Sequence, residues 1–223
     1  MNDILTGKTE DHLTRGFSGF LFNQKADLAI TALAKRAKAK GFEVKVVSSF
    51  RGFEQQKSIW QKKALGQKVL LDTNGNPLRF EDLTADQIVD AILRWSAFPG
   101  ASRHHWGTDV DVFDAKAVAA DYEVQLTPQE VAGVFSPFYS WIDELVASDD
   151  AEGFFLPYDQ DRGGIAPEAW HLSYRPVAKE YEKLYSEEFF INHIKSLNDI
   201  ALIKEVKSRA SEIYSRFIAN VAN

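Results

Sequence analysis

Between residues 23 and 38 the apolar positions recur three and four apart, with Leu28, Ala32 and Leu33 on one face. That spacing predicts an amphipathic helix capped by Asn23, with Gly41 just past its end letting the chain turn away. Phe42-Glu43-Val44-Lys45-Val46 then switches to strict alternation, which predicts a half-buried strand delivering Arg51 at its exit. Residues 54 to 65 return to helical spacing, and Asp72-Thr73-Asn74-Gly75-Asn76-Pro77 carries turn chemistry. Thr84 caps a helix predicted through Trp95, which Phe98-Pro99-Gly100 breaks. Thr108 to Phe113 reads as a short strand with Asp109, Asp111 and Phe113 on one face. Thr127-Pro128 and Ser136-Pro137 each open a helix, the second running to Ala147. Gly153 to Pro157 and Trp170 to Tyr174 read as the remaining strands.

From Pro176 onward the pattern is helical throughout. Val177, Tyr181, Leu184 and Tyr185 form one stripe, and Ile200, Ile203, Val206, Ala210, Ile213, Phe217 and Val221 form another after Asn198-Asp199. Two amphipathic helices are predicted, with tertiary packing the common fate of such stripes. The expected fold class is therefore α+β: a small, mainly antiparallel sheet with packed helices in residues 1–175, and a C-terminal helical extension in residues 176–223 resting on that core.

Composition narrows the function classes. A chain of 223 residues with 45% hydrophobic content can bury a sizeable core. A net charge of -6 with scattered lysines and arginines argues against a nucleic-acid partner. No apolar run reaches the roughly 18 residues of a membrane span, and the first eight residues lack the basic start and apolar centre of a signal peptide. With no cysteine, thiol catalysis, disulfides and cysteine-ligated zinc are all excluded, so any zinc must sit on histidine and carboxylate.

Two segments supply such donors: Ser102-Arg103-His104-His105-Trp106-Gly107-Thr108-Asp109-Val110-Asp111, and Glu168-Ala169-Trp170-His171. A catalytic zinc takes three protein ligands and leaves a fourth position for water. His104, Asp111 and His171 are the candidate ligands, and Glu168 is the spare carboxylate that could serve as general base and acid. Glu168 and His171 are three apart, so in a regular strand they would face opposite ways. Joint action at one metal requires a bulge, a twist or a helical turn.

The pattern Ser102-x-His104-x-x-Gly107-x-x-x-Asp111, followed by Glu168-x-Trp170-His171, resembles the zinc peptidase group that includes bacterial D-alanyl-D-alanine carboxypeptidases and dipeptidases, lysostaphin-type endopeptidases and the hedgehog signalling domain. The carboxypeptidase branch is the nearest, and Ser48-Ser49-Phe50-Arg51-Gly52-Phe53-Glu54-Gln55-Gln56 is similar to a second motif of that branch. The resemblance runs from about Leu13 to Tyr174. It implies zinc on His104, Asp111 and His171, Glu168 as base, Arg51 on the substrate carboxylate or oxyanion, and Gln56 and Ser102 as substrate-side hydrogen-bonding groups. It also implies a peptidoglycan peptide as substrate and a cell-envelope location, reached through a leader upstream of this sequence. A planar guanidinium fork suits a carboxylate, which agrees with the role implied for Arg51.

Trp106 and Trp170 read as walls of the site, Trp170 on the substrate side. Asp109 stands where the family usually has alanine; it could add a ligand, tune His105 or alter substrate choice. Adjacent residues of an extended chain face opposite ways, which gives His105 a supporting role beside the site. His12 and His193 lie outside the motifs and read as surface or cap residues. Three rival readings remain: a non-haem iron site, a binding module that keeps the zinc fold without turnover, and an endopeptidase with an open groove.

Overall fold

A short helix, α1 (Asn2–Leu5), precedes a small hairpin of β1 (Leu13–Arg15) and β2 (Leu21–Asn23) in the computed structural model, which describes residues 1–222. Asn23 ends β2 and caps α2 (Gln24–Ala39), its side chain accepting from the Lys25 amide at 3.1 Å. β3 (Val44–Ser48) begins later than its alternation predicts and ends at Ser48, and Arg51 stands in the loop beyond it, just ahead of α3 (Phe53–Ala64). The predicted turn closes a minimal hairpin, β4 (Leu70–Leu71) with β5 (Pro77–Leu78), in which the Asp72 carboxylate accepts from the Asn74 and Asn76 amides. α4 (Ala85–Trp95) opens on a capping box, with Thr84 and Gln87 each bonding the other's backbone.

The segment Arg103–Trp106 is a 3-10 turn ending at Gly107, whose φ is 68°. Only glycine fits there: a Cβ would lie 2.3 Å from the Leu13 side chain. β6 (Asp109–Asp114) follows at once. α5 (Pro128–Ala132) has its own capping box of Thr127 and Glu130, α6 is Ser136–Ala147, and β7 (Phe154–Phe155) and β8 (His171–Tyr174) complete the main sheet. That sheet is antiparallel in the order β3-β6-β8-β7, with Asp111 opposite His171 and Asp109 opposite Ser173. The architecture is α+β.

Alternation along these strands separates core from chemistry. Val110, Val112 and Leu172 point into a cluster with Ile30 and Leu33 of α2 and Phe138 and Ile142 of α6. Asp109, Asp111, His171 and Ser173 point the other way. Burial on one face therefore fixes which residues converge on the other.

The tail is more broken than its periodicity predicts. It forms α7 (Arg175–Leu184), α8 (Glu187–Lys195), α9 (Ile203–Ser208) and α10 (Ala210–Ile213), ending in a π-helical turn over Tyr214–Ile218. Phe190, Ile194, Val206 and Ile213 pack against Trp60 of α3 and Val89 and Ile92 of α4 in a second cluster. His193 is not a surface residue: it is buried, with Nε2 bonded to the Pro99 carbonyl at 3.1 Å and its ring edge-on to Phe53. His12 is half-buried between Phe50 and Tyr181. No helix among the described residues is long and apolar enough to cross a membrane.

Candidate metal centre and its cleft

His104, Asp111 and His171 each offer a donor atom, and these atoms lie within 4.8 Å of one another. All three residues are buried. His104 Nε2 is 3.3 Å from Asp111 Oδ2, and His171 Nδ1 is 3.2 Å from Asp111 Oδ1. The main-sheet register puts the last two side by side, and the turn at Gly107 folds His104 back over them.

The orientation of each ring follows from what its other nitrogen touches. His104 Nδ1 faces the Ser49 carbonyl at 2.7 Å, and His171 Nε2 faces Asp109 Oδ2 at 2.9 Å. A carbonyl and a carboxylate can only accept, so both of those nitrogens carry hydrogen. His104 Nε2 and His171 Nδ1 are left to aim at Asp111, whose buried Oδ1 has no hydrogen-bond partner. Two imidazole nitrogens and an orphaned carboxylate oxygen around one point form a donor set that fits a divalent cation such as zinc.

Electrostatics agree with that fit. Burial disfavours a charge on His171, but the surrounding carboxylates of Asp109, Asp111 and Glu168 outweigh it and lift the ring's pKa well above the ordinary histidine value. Burial likewise works against an ionised Asp111, yet His104 and His171 hold its carboxyl well below the usual range. A site that draws a proton this strongly is one where positive charge is wanted.

Asp109 is not among the grouped donors, and no hydrogen bond joins it to His105. It is fully buried behind His171, accepting from Arg103 Nε at 2.8 Å, Thr108 Oγ1 at 2.7 Å and Ser173 Oγ at 2.8 Å as well as from the imidazole. It holds the His171 ring by hydrogen bonding from the side away from Asp111. Arg103, which sequence reasoning passed over, anchors it in turn by bonding Ser173 Oγ and Glu182 Oε1.

Glu168 reaches the same centre by a turn. The His171 amide bonds the Glu168 carbonyl at 3.2 Å, and this turn swings Glu168 Oε2 to 3.3 Å from His171 Nδ1. The opposite-face problem of a three-residue spacing is thereby removed, because only His171 belongs to the strand.

His105 lies in the 3-10 turn instead of an extended segment, and it is fully buried. Its Nδ1 faces the Arg51 carbonyl, and Nε2 accepts from the Gly100 amide at 3.0 Å. Burial is the main reason its pKa is pulled down to about 3, so it is a neutral brace for the Arg51 loop.

The centre opens into a cleft of about 300 Å³ lined by Arg51, Ser102, Glu168 and Trp170. Across from them lie the Gln125–Gln129 segment, which leads into α5, and the β4–β5 hairpin, which neither periodicity nor motif placed there. Arg51 is half-buried, donating to Gln56 Oε1 at 2.9 Å and Ser48 Oγ at 3.0 Å. Gln56 is fully buried and also donates to the Ala97 carbonyl at 2.7 Å. It sits beneath Arg51 and does not line the cleft. Tyr158, a residue with no sequence signal, packs its ring edge on His171 and lines the cleft.

Residues 20–177 match VanY, the D-alanyl-D-alanine carboxypeptidase family. The chain belongs to this family. Two uncharacterised proteins of Haemophilus influenzae are similar to it: one is 38% identical over 99 residues, covering 43% of this chain and 68% of the relative. The other is 32% identical over 122 residues, covering 53% and 90%. Among solved structures, a vancomycin-resistance D,D-pentapeptidase VanY variant in complex with Zn(II) superposes with a TM-score of 0.52 at 23% identity, over 79% of this chain and 88% of that one. VanYB in complex with D-alanine-D-alanine gives 0.52 at 23%, over 81% and 87%. These likenesses show that the VanY fold is shared.

Proposed function

We propose that this member of the VanY family is a zinc carboxypeptidase that removes a C-terminal D-alanine, in the D,D or L,D sense, from peptidoglycan stem peptides in the bacterial cell envelope. The observation that carries the reading is the convergence of His104, Asp111, His171 and Glu168 at one end of a cleft that also holds Arg51. Zinc on the first three residues would supply Lewis acidity toward a carbonyl and lower the pKa of water to about 7.

The chain's own residues do the rest. Glu168, fixed by its turn beside His171, takes a proton from the attacking water and returns it to the departing amine. Arg51 offers its guanidinium to the terminal carboxylate, held in place by Gln56 and Ser48 so that little side-chain entropy is lost on binding. Ser102 and Trp170 line the same cleft and contact the peptide there, Ser102 by hydrogen bonding. Gln56 acts through Arg51.

The test is hydrolysis of a pentapeptide ending in D-Ala-D-Ala, and of its tetrapeptide, with zinc and after chelation. Chelator-sensitive release of free D-alanine supports the proposal, and the peptide cut gives the stereochemical preference. Zinc binding without release from either peptide would refute it.

A further inference from the structure

Lys63 lines the cleft and takes no part in the chemistry proposed above. It lies in the last turn of α3, half-buried, and among the described residues its ammonium makes no hydrogen bond or ion pair. The other lysine and arginine cations lining the cleft are engaged: Arg51 with Gln56 and Ser48, Arg103 with Asp109 and Glu182. A half-buried ammonium loses hydration and gains nothing in return unless an anion arrives to meet it. The loss is visible in its acidity: burial first, then Lys68 and Arg51, pull its pKa down to about 8 against the opposing pull of Glu168.

Position along the helix says which anion. Gln56, the brace of Arg51, and Lys63 are seven residues apart on α3, close to two full turns, so they share a face and stand roughly 10 Å apart along its axis. An extended peptide advances about 3.4 Å per residue, so this length of helix face runs beside about three substrate residues. If Arg51 holds the terminal carboxylate, Lys63 meets a different one. The departing D-alanine carries only a methyl side chain, which leaves the amino side of the scissile bond.

We propose that Lys63 is a specificity-determining residue that pairs with a second substrate carboxylate, carried by a side chain on the amino side of the scissile bond. The inference rests on the carboxypeptidase reading and names the substrate class within it: acidic peptides ending in D-alanine.

The experiment compares two amino-blocked tripeptides, X-D-Ala-D-Ala, with X glutamate or glutamine. The wild type is expected to favour the glutamate peptide about tenfold in kcat/KM, with the difference in KM. Lys63→Met brings that ratio to about one, and Lys63→Arg keeps it. The ratio also falls as pH rises through about 8, because the free enzyme's ammonium is lost there. The charged and titratable groups facing Lys63 are Arg51, Lys68 and Glu168, with Arg103, Asp111, His104, His171 and Tyr158 elsewhere in the cleft. A wild-type ratio of one, an unchanged ratio in Lys63→Met, or an equal loss on both peptides would overturn the proposal. If neither peptide is cut, the D,D sense of the carboxypeptidase reading fails, and Lys63 is judged by calorimetric binding of the same peptides to Glu168→Ala. Tighter binding of the glutamate peptide there upholds its role, and equal binding refutes it.

Discussion

Replacing Asp109 with asparagine isolates the electrostatic support of the centre from its geometry. Asp109 is 0% exposed and receives four donors: His171 Nε2 and Arg103 Nε on Oδ2, and the Thr108 and Ser173 hydroxyls on Oδ1. An asparagine placed with its oxygen at Oδ2 keeps the first two, and its amide nitrogen can donate to the two hydroxyls, which rotate to accept. The hydrogen-bond count survives, so the fold should too. What disappears is the negative charge. Arg103 keeps Glu182 as a partner, so the stability loss should fall at the low end for a broken buried pair, about 3 kcal/mol. His171 loses the carboxylate that polarises its ring, and zinc affinity should drop by about 10- to 100-fold. Competition with a fluorescent chelator measures that affinity, and circular dichroism establishes that the variant is folded. A folded Asp109→Asn protein binding zinc within about threefold of the wild type would refute the assignment of Asp109.

Glu168→Ala should retain zinc and lose about 10²- to 10⁴-fold in turnover, whereas His171→Ala should lose the metal itself; peptide hydrolysis and metal analysis of the two variants distinguish these effects. Gly7→Ala should cost about 3 kcal/mol in a denaturant titration, because φ is +71° and the new Cβ would sit 2.3 Å from His105 Nδ1. Because His105 is held neutral in the fold, with a pKa near 3 against an unfolded value of 6.5, its contribution to stability is complete above pH 6.5 and is lost as pH falls toward 3. His105→Gln should therefore show a shallower decline of melting temperature across that range, and an unchanged slope would contradict the neutral assignment.

Helix starts were legible because capping is local chemistry. Asn23, the Thr84–Gln87 pair and the Thr127–Glu130 pair each act within three residues, and each cap stands where the sequence puts it. Ser186, which caps α8 by accepting from the Phe189 amide, carried the same signal; continuous tail periodicity masked it, and one helix was missed. The β1–β2 and β4–β5 hairpins escaped detection because strands of two or three residues are too short to show alternation. Trp60 and Val206 meet in one cluster despite their distance along the chain, and no local pattern announces such a meeting.

The centre divides along the same line. His104, Asp111, His171 and Glu168 were readable as residue types in a motif, but the work of Asp109 and Arg103 depends on which residue lies opposite which. Asp109 faces Ser173 only because β6 and β8 pair with Asp111 opposite His171. That register is set on the other face of the sheet, where Val110, Val112 and Leu172 are almost wholly buried. A one-residue slip of β6 would turn Val110 and Val112 toward the polar cleft and bury Asp109 and Asp111 in the apolar core, at a cost of several kcal/mol for each charged group. The apolar alternation predicted for this strand therefore also selects the metal donors: core packing excludes the alternative register, and what remains brings three carboxylates around one imidazole.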